Sequence, residues 1–249
     1  MATYVLVGGA WLGGWCWQPI ARRLREARHD AYPVTLTGLG ERVHLASPEV
    51  DLETHITDVV NLVEFEDLYN IVLLGHSYAA LVVTGVADRI PERISQVVYL
   101  DAGPIPSGLA FIETYPPEAR THVERQVEEL GDGWRLPMPP WEELAQQASL
   151  EGLDDDQLRQ MSSRAVAQPF GTYTQPLRLE NPAREELPKV GILCSFSVAQ
   201  VQEMIASDNP LSQAFTGPDW RFVELPTGHW PMFSRPDDLA AALLDLPSG

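Results

Sequence analysis

Short apolar runs alternate along this chain with segments whose apolar residues recur at helical spacing, a pattern that predicts an α/β fold with a mostly parallel sheet and helices on both faces. Tyr4 to Val7 reads as the first strand, and Gly8-Gly9-Ala10-Trp11-Leu12-Gly13-Gly14 as a flexible loop leading into a helix through Ile20 and Leu24. Ala31 to Thr35 predicts the second strand. Leu52 to Phe65 places Ile56, Val59, Val60 and Val63 on one helical stripe, with Asp51 or Asp58 suited to its N-terminal dipole. The run Ile71-Val72-Leu73-Leu74 suits a strand covered on both faces. A helix from Ala79 to about Arg89, ended by Pro91, and a strand from Gln96 to Leu100 closing on Asp101 come next.

From about residue 105 to 188 the alternation breaks, and prolines punctuate short amphipathic helices such as Trp141 to Ala148 and Asp154 to Ala167. This segment is expected to be a helical lid inserted into a single domain spanning 1–249. The sheet pattern resumes with Val190 to Phe196 and Trp220 to Leu225, and a helix from Asp237 to Leu246 closes the fold.

Overall composition narrows the function classes. With 17 basic against 35 acidic residues the formal charge is −18, which repels phosphate backbones and anionic headgroups and argues against nucleic acid and membrane partners. No window approaches the roughly 18 uninterrupted apolar residues of a membrane span. The sequence runs from Met1-Ala2-Thr3 straight into a strand, a start that leads us to expect no signal peptide, and its two cysteines, Cys16 and Cys194, form no disulfide framework or metal-ligand set. A cytoplasmic setting without metal or cofactor is therefore expected, and a homodimer is compatible with the sequence.

The chemistry concentrates where strands end. Ile71 to Ala79 reads as a buried strand, a tight turn with Ser77 at its tip and the small start of a helix, written G-x-S-x-A. Such a turn exposes a serine hydroxyl to a base on one side and a substrate carbonyl on the other. His229, in the turn Pro226-Thr227-Gly228-His229-Trp230-Pro231 after the Trp220 strand, is the expected base. His29, His44, His55 and His122 lack strand-end placement, and His76 is expected to pack beside the serine turn. The orienting carboxylate is assigned to Asp101. The run after the next-to-last sheet strand, Cys194-Ser195-Phe196-Ser197-Val198-Ala199-Gln200, contains no acid. Glu203 and Asp208 are weaker alternatives, as is a dyad with Ser197 or a water in the carboxylate's place. The main-chain N–H groups of Ala10 and Tyr78 are expected to hold the developing oxyanion, leaving both side chains free to vary. The glycine loop lacks the spacing of a dinucleotide fingerprint and carries Trp11 where pyrophosphate would approach.

Over essentially its whole length the chain resembles the α/β-hydrolase superfamily, most of all the plant methylesterase and hydroxynitrile lyase group and its bacterial relatives. The stretches that carry this are VLVGGAWLGGWCW, LTGLGERVHLASPEVDLETHITDVVNLV, VLLGHSYAALVV, VVYLDAGP and ELPTGHWPMFSRP. Gly8 departs from the family's usual His-Gly-Ala loop, and Ala79-Ala80 from its glycine pair. Cyanohydrin-cleaving relatives carry a lysine after the base histidine and a threonine in the first loop, where this chain has Trp230 and Gly9. Without that ammonium to receive cyanide, the resemblance implies carboxylic ester hydrolysis through an acyl-enzyme on a small or medium hydrophobic ester. A tailoring methylesterase or lactonase and a non-catalytic ligand-binding relative are the alternatives. Gly9, Trp11, Trp134, Met138 and Trp230 are the expected pocket residues.

Overall fold

The computed structural model describes residues 1–207, 212–216 and 219–246. Its first strand, β1 (Thr3–Val7), leads through a glycine loop to α1 (Gln18–Glu26), then β2 (Asp30–Val34), α2 (Leu52–Phe65), β3 (Ile71–His76), α3 (Ala79–Arg89) and β4 (Ile94–Leu100). The excursion that follows carries α4 (Pro117–Leu130), β5 (Arg135–Leu136), α5 (Trp141–Gln147), α6 (Asp155–Arg164), β6 (Gln168–Pro169) and α7 (Gly171–Thr174). The chain then rejoins the sheet with β7 (Lys189–Leu193), α8 (Val198–Ala206), β8 (Trp220–Glu224), α9 (Pro231–Ser234) and α10 (Pro236–Leu244).

Six strands pair in parallel in the order β2-β1-β3-β4-β7-β8. All carboxyl ends therefore meet along one edge, where open α/β sheets bind their ligands. β3 lies at the centre and is buried at all six positions, the reason its sequence is a continuous apolar run rather than an alternating one. α1 packs with α10, and α2 with α3.

Local chemistry sets the element ends. Asp51 caps α2, accepting the Thr54 amide at 2.9 Å, while Thr54 Oγ1 reaches back to the Asp51 amide. Asp58 does not serve the helix dipole. Its carboxylate accepts the amide and hydroxyl of Thr37 and pairs with Arg42. The excursion between β4 and β7 holds α4, which the sequence pattern did not signal: only Val123 and Val127 of its fourteen residues are buried. β5 and β6 form a separate antiparallel pair.

Candidate active site

Three residues with backbone in the left-handed region sit just past the carboxyl ends of adjacent strands: Trp11 after β1 (φ 64°), Ser77 after β3 (φ 53°) and Asp101 after β4 (φ 47°). Non-glycine residues rarely adopt this conformation, and it gathers where side chains must be aimed against the local preference. The surroundings enforce it. The Ser77 amide donates to the Leu100 carbonyl at 3.2 Å and the Asp101 amide to the Ile192 carbonyl at 2.8 Å, each one step past a strand end. Beneath the serine turn, a Cβ on Gly75 would lie 2.6 Å from the Ala79 carbonyl oxygen, so only glycine lets β3 approach α3 this closely.

The turn delivers Ser77 Oγ to His229 Nε2 at 2.8 Å, and on the far side of the ring His229 Nδ1 meets Asp101 Oδ2 at 2.6 Å. The Asp101 side chain is fully buried. Its Oδ1 accepts the amides of Cys194 and Ser195 at 2.9 and 2.8 Å, and Oδ2 also accepts the Ser195 hydroxyl at 2.6 Å. Burial alone would raise this carboxyl, but the hydrogen bond and charge of His229, with the bonds from Ser195, outweigh it and hold Asp101 below the usual carboxylate range. An ionised carboxylate beside Nδ1 keeps a proton there and leaves Nε2 free to take one from Ser77.

His229 is clamped through its own backbone. Its amide donates to the Ser149 carbonyl at 2.8 Å, tying the β8 turn to the excursion, and its carbonyl accepts from His76 Nε2 at 2.7 Å. With that nitrogen donating, His76 Nδ1 is bare and has no partner. Burial and the neighbouring His229 push the His76 pKa down to about 3, so it is neutral at working pH. Trp230 closes edge-on against the His229 ring at 4.9 Å between centroids.

On the other side of the serine, none of the turn hydrogen bonds along this edge uses the amide of Ala10 or Tyr78. Tyr78 differs from the sequence expectation in one respect: its side chain is not free to vary. The ring is fully buried, stacks on Tyr173 at 5.5 Å, and its hydroxyl bonds His55 Nδ1 at 2.9 Å. His55 in turn donates from Nε2 to the Thr37 carbonyl at 2.8 Å. A histidine set aside for lacking strand-end placement thus holds the residue next to the serine. The long-range contact gives no local signal.

The hydroxyl opens into a cavity of about 440 Å³ lined by Ala10, Trp11, Phe111, Tyr115, Leu144, Tyr173, Phe215 and Trp230, among others. Trp134 and Met138 are not among its lining residues. Trp134 instead packs against the Arg135 guanidinium and Met138 against the core. Gly9 backs onto His76 and Ser77 rather than onto the cavity. Besides lining the cavity, Trp11 fastens the first loop to the excursion, its amide donating to Gln168 Oε1 and its indole to the Leu136 carbonyl. Ser197 caps α8 through the Gln200 amide, and Glu203 lies on that helix's exposed face. Asp208 lies outside the described residues.

A profile of the alpha/beta hydrolase family matches residues 4–242. The chain belongs to this family. This α/β-hydrolase is 36% identical to a carbendazim hydrolyzing esterase of Nocardioides sp. (strain SG-4G) over 99% of its own length and 100% of that protein's. It is 25% identical to putative methylesterase 14, chloroplastic, of Arabidopsis thaliana, covering 98% of this chain and 71% of the relative. Among solved structures it resembles an extracellular alpha/beta-hydrolase from a Paenibacillus species, with a TM-score of 0.82, 22% identity and coverage of 100% and 99% of the two chains. Among the described residues, no helix is long and apolar enough to cross a membrane.

The buried histidines of this α/β-hydrolase make its stability depend on pH. Burial pushes the His55 pKa down to about 4 and the His76 pKa to about 3, against an ordinary value of 6.5. Between those values and 6.5 the unfolded chain binds more protons than the folded one, so stability falls with falling pH, by about 1.4 kcal/mol per unit for each histidine. Urea unfolding at pH 7 and pH 5 should differ by roughly 3–4 kcal/mol, and His55→Gln should remove about half of that difference. An unchanged difference in the variant would assign the effect to other groups.

Proposed function

We propose that this α/β-hydrolase is a serine ester hydrolase acting through an acyl-enzyme on small or medium neutral esters. The observation that carries the reading is the continuous path from Asp101 through His229 to Ser77, with contacts of 2.6 and 2.8 Å, ending at the cavity. Ser77 Oγ attacks the ester carbonyl carbon as its proton passes to His229 Nε2. The amides of Ala10 and Tyr78 receive the developing oxyanion, and Asp101 stabilises the imidazolium. Collapse of the tetrahedral intermediate expels the alcohol, which takes the proton from His229. Water then attacks the acyl carbon, giving its proton to His229, and as the carbon–oxygen bond to Ser77 breaks, Ser77 Oγ takes that proton back and the acid is released.

Neutral substrates follow from the lining. Among the described residues it contains no lysine, arginine or glutamate, and the carboxylate of Asp101 is already committed to four hydrogen bonds. A substrate carboxylate entering this cavity would lose its water without gaining a cation, at a cost of several kcal/mol. The segment 105–188 acts as the lid, since it supplies Phe111, Tyr115, Leu144 and Tyr173 to the cavity wall.

A panel pairing each neutral aryl or methyl ester with its carboxylate-bearing analogue tests this. Carbendazim belongs in the panel because of the full-length similarity to the Nocardioides esterase. The neutral member of each pair should show kcat/KM higher by about 100-fold or more. Equal rates for both members would contradict the neutral-substrate reading. Stabilisation by these compounds without any product would identify a binding protein rather than a catalyst.

A further inference from the structure

Two hydrogen bonds converge on a single oxygen behind the imidazole. Asp101 Oδ2 receives His229 Nδ1 and Ser195 Oγ, each at 2.6 Å, while the Ser195 amide and its neighbour from Cys194 hold Oδ1. Ser195 is the second residue past β7, in the stretch that carries no acid of its own. We propose that Ser195 is a positioning residue for the hydrolytic reaction, acting through Asp101, an assignment that rests on the Ser77-His229-Asp101 reading above.

The terminal torsion of a carboxylate is soft. The left-handed backbone at Asp101 does not aim the group as a regular strand would. Two amides fix one oxygen, and the Ser195 hydroxyl holds the other, the oxygen that His229 Nδ1 meets. The same hydroxyl draws negative charge away from Oδ2. Deleting it leaves that oxygen more negative and free to turn away from His229 Nδ1, which changes how Asp101 pairs with the imidazolium.

The titratable groups around this point are few among the described residues. His76 stands beside the His229 ring and is neutral in the folded protein. Cys194 lies beside Asp101, and burial keeps its thiol protonated across the working range. Asp101 is therefore the charge through which Ser195 acts. Ser195 is itself exposed, so removing its hydroxyl or adding a methyl leaves the core intact.

The test is the pH dependence of p-nitrophenyl acetate hydrolysis by the wild type, Ser195→Ala, Ser195→Thr, Asp101→Asn and the Asp101→Asn/Ser195→Ala double variant. Ser195→Ala should lower kcat about 5- to 10-fold, the loss of one charge-assisted hydrogen bond that water partly replaces, with KM within about twofold. Its acid limb in kcat/KM should shift, and Ser195→Thr, which keeps the hydroxyl, should restore both rate and limb. In the Asp101→Asn background, removing the hydroxyl should change kcat by less than about twofold. An equal loss in both backgrounds, or an unmoved limb, would overturn the proposal. If Asp101→Asn is crippled while Ser195→Ala is unimpaired, the triad stands and this proposal falls. If Asp101→Asn itself keeps wild-type turnover, the triad reading falls first and takes this one with it.

Discussion

Replacing Ser77 by alanine should lower kcat for p-nitrophenyl acetate by on the order of 10⁵- to 10⁶-fold, the loss seen when a nucleophile that works as a unit with its base is removed. The fold should be unaffected, because among the described residues the hydroxyl's hydrogen bond is the 2.8 Å one to His229 Nε2 and the rest of the group borders the cavity. Ser77→Gly offers a second readout from the same position. The backbone there has φ 53°, which glycine adopts without a Cβ penalty. That variant should also be inactive, yet more stable by about 1 kcal/mol, or a few degrees in Tm, because it releases strain that the serine holds for function. Steady-state rates together with thermal unfolding check both statements. A Ser77→Ala protein with native turnover would contradict the assignment of the nucleophile.

Asp101→Asn should cost about 10⁴-fold in kcat, as expected where an amide replaces the carboxylate that sets the tautomer of a catalytic histidine. The geometry shows why the loss falls on chemistry rather than on folding. The asparagine oxygen can still accept the Cys194 and Ser195 amides that Oδ1 accepts at 2.9 and 2.8 Å. Its NH₂ then faces His229 Nδ1 and drives the ring proton to Nε2, the nitrogen that has to receive one from Ser77. Measured kcat should fall while the circular dichroism spectrum and Tm stay close to those of the wild type. Full activity in this variant would place the orienting group elsewhere.

The central strands were legible because burial on both faces leaves little but apolar residues in β3 and β4, so pattern and structure agree there to within two residues. The extent of α2 was legible for a different reason, the helical spacing of Ile56, Val59, Val60 and Val63, whereas the choice of Asp51 over Asp58 at its start rests on the reciprocal cap with Thr54 that only the structure shows. Ser77, Asp101 and His229 each stand just beyond a strand end, and in a parallel sheet all such positions fall on one edge. What stayed hidden depends on contacts between distant segments. The Ser197-to-Gln200 spacing is that of a capping box and places Ser197 at a helix start, but nothing local ties Ser195 to Asp101. The grip of His55 on Tyr78 joins α2 to the serine turn and has no periodic signature. Apolar content in the 105–188 segment predicted a pocket wall but not its members, since Trp134 and Tyr173 are equally apolar and only Tyr173 faces the cavity.

The most direct measurement is the site of covalent labelling by a fluorophosphonate, followed by intact mass and peptide mapping. A single adduct should form on Ser77, be absent from Ser77→Ala and form far more slowly in Asp101→Asn. No adduct on the wild-type protein, or an adduct on another serine such as Ser195, would contradict the proton path from Ser77 to His229.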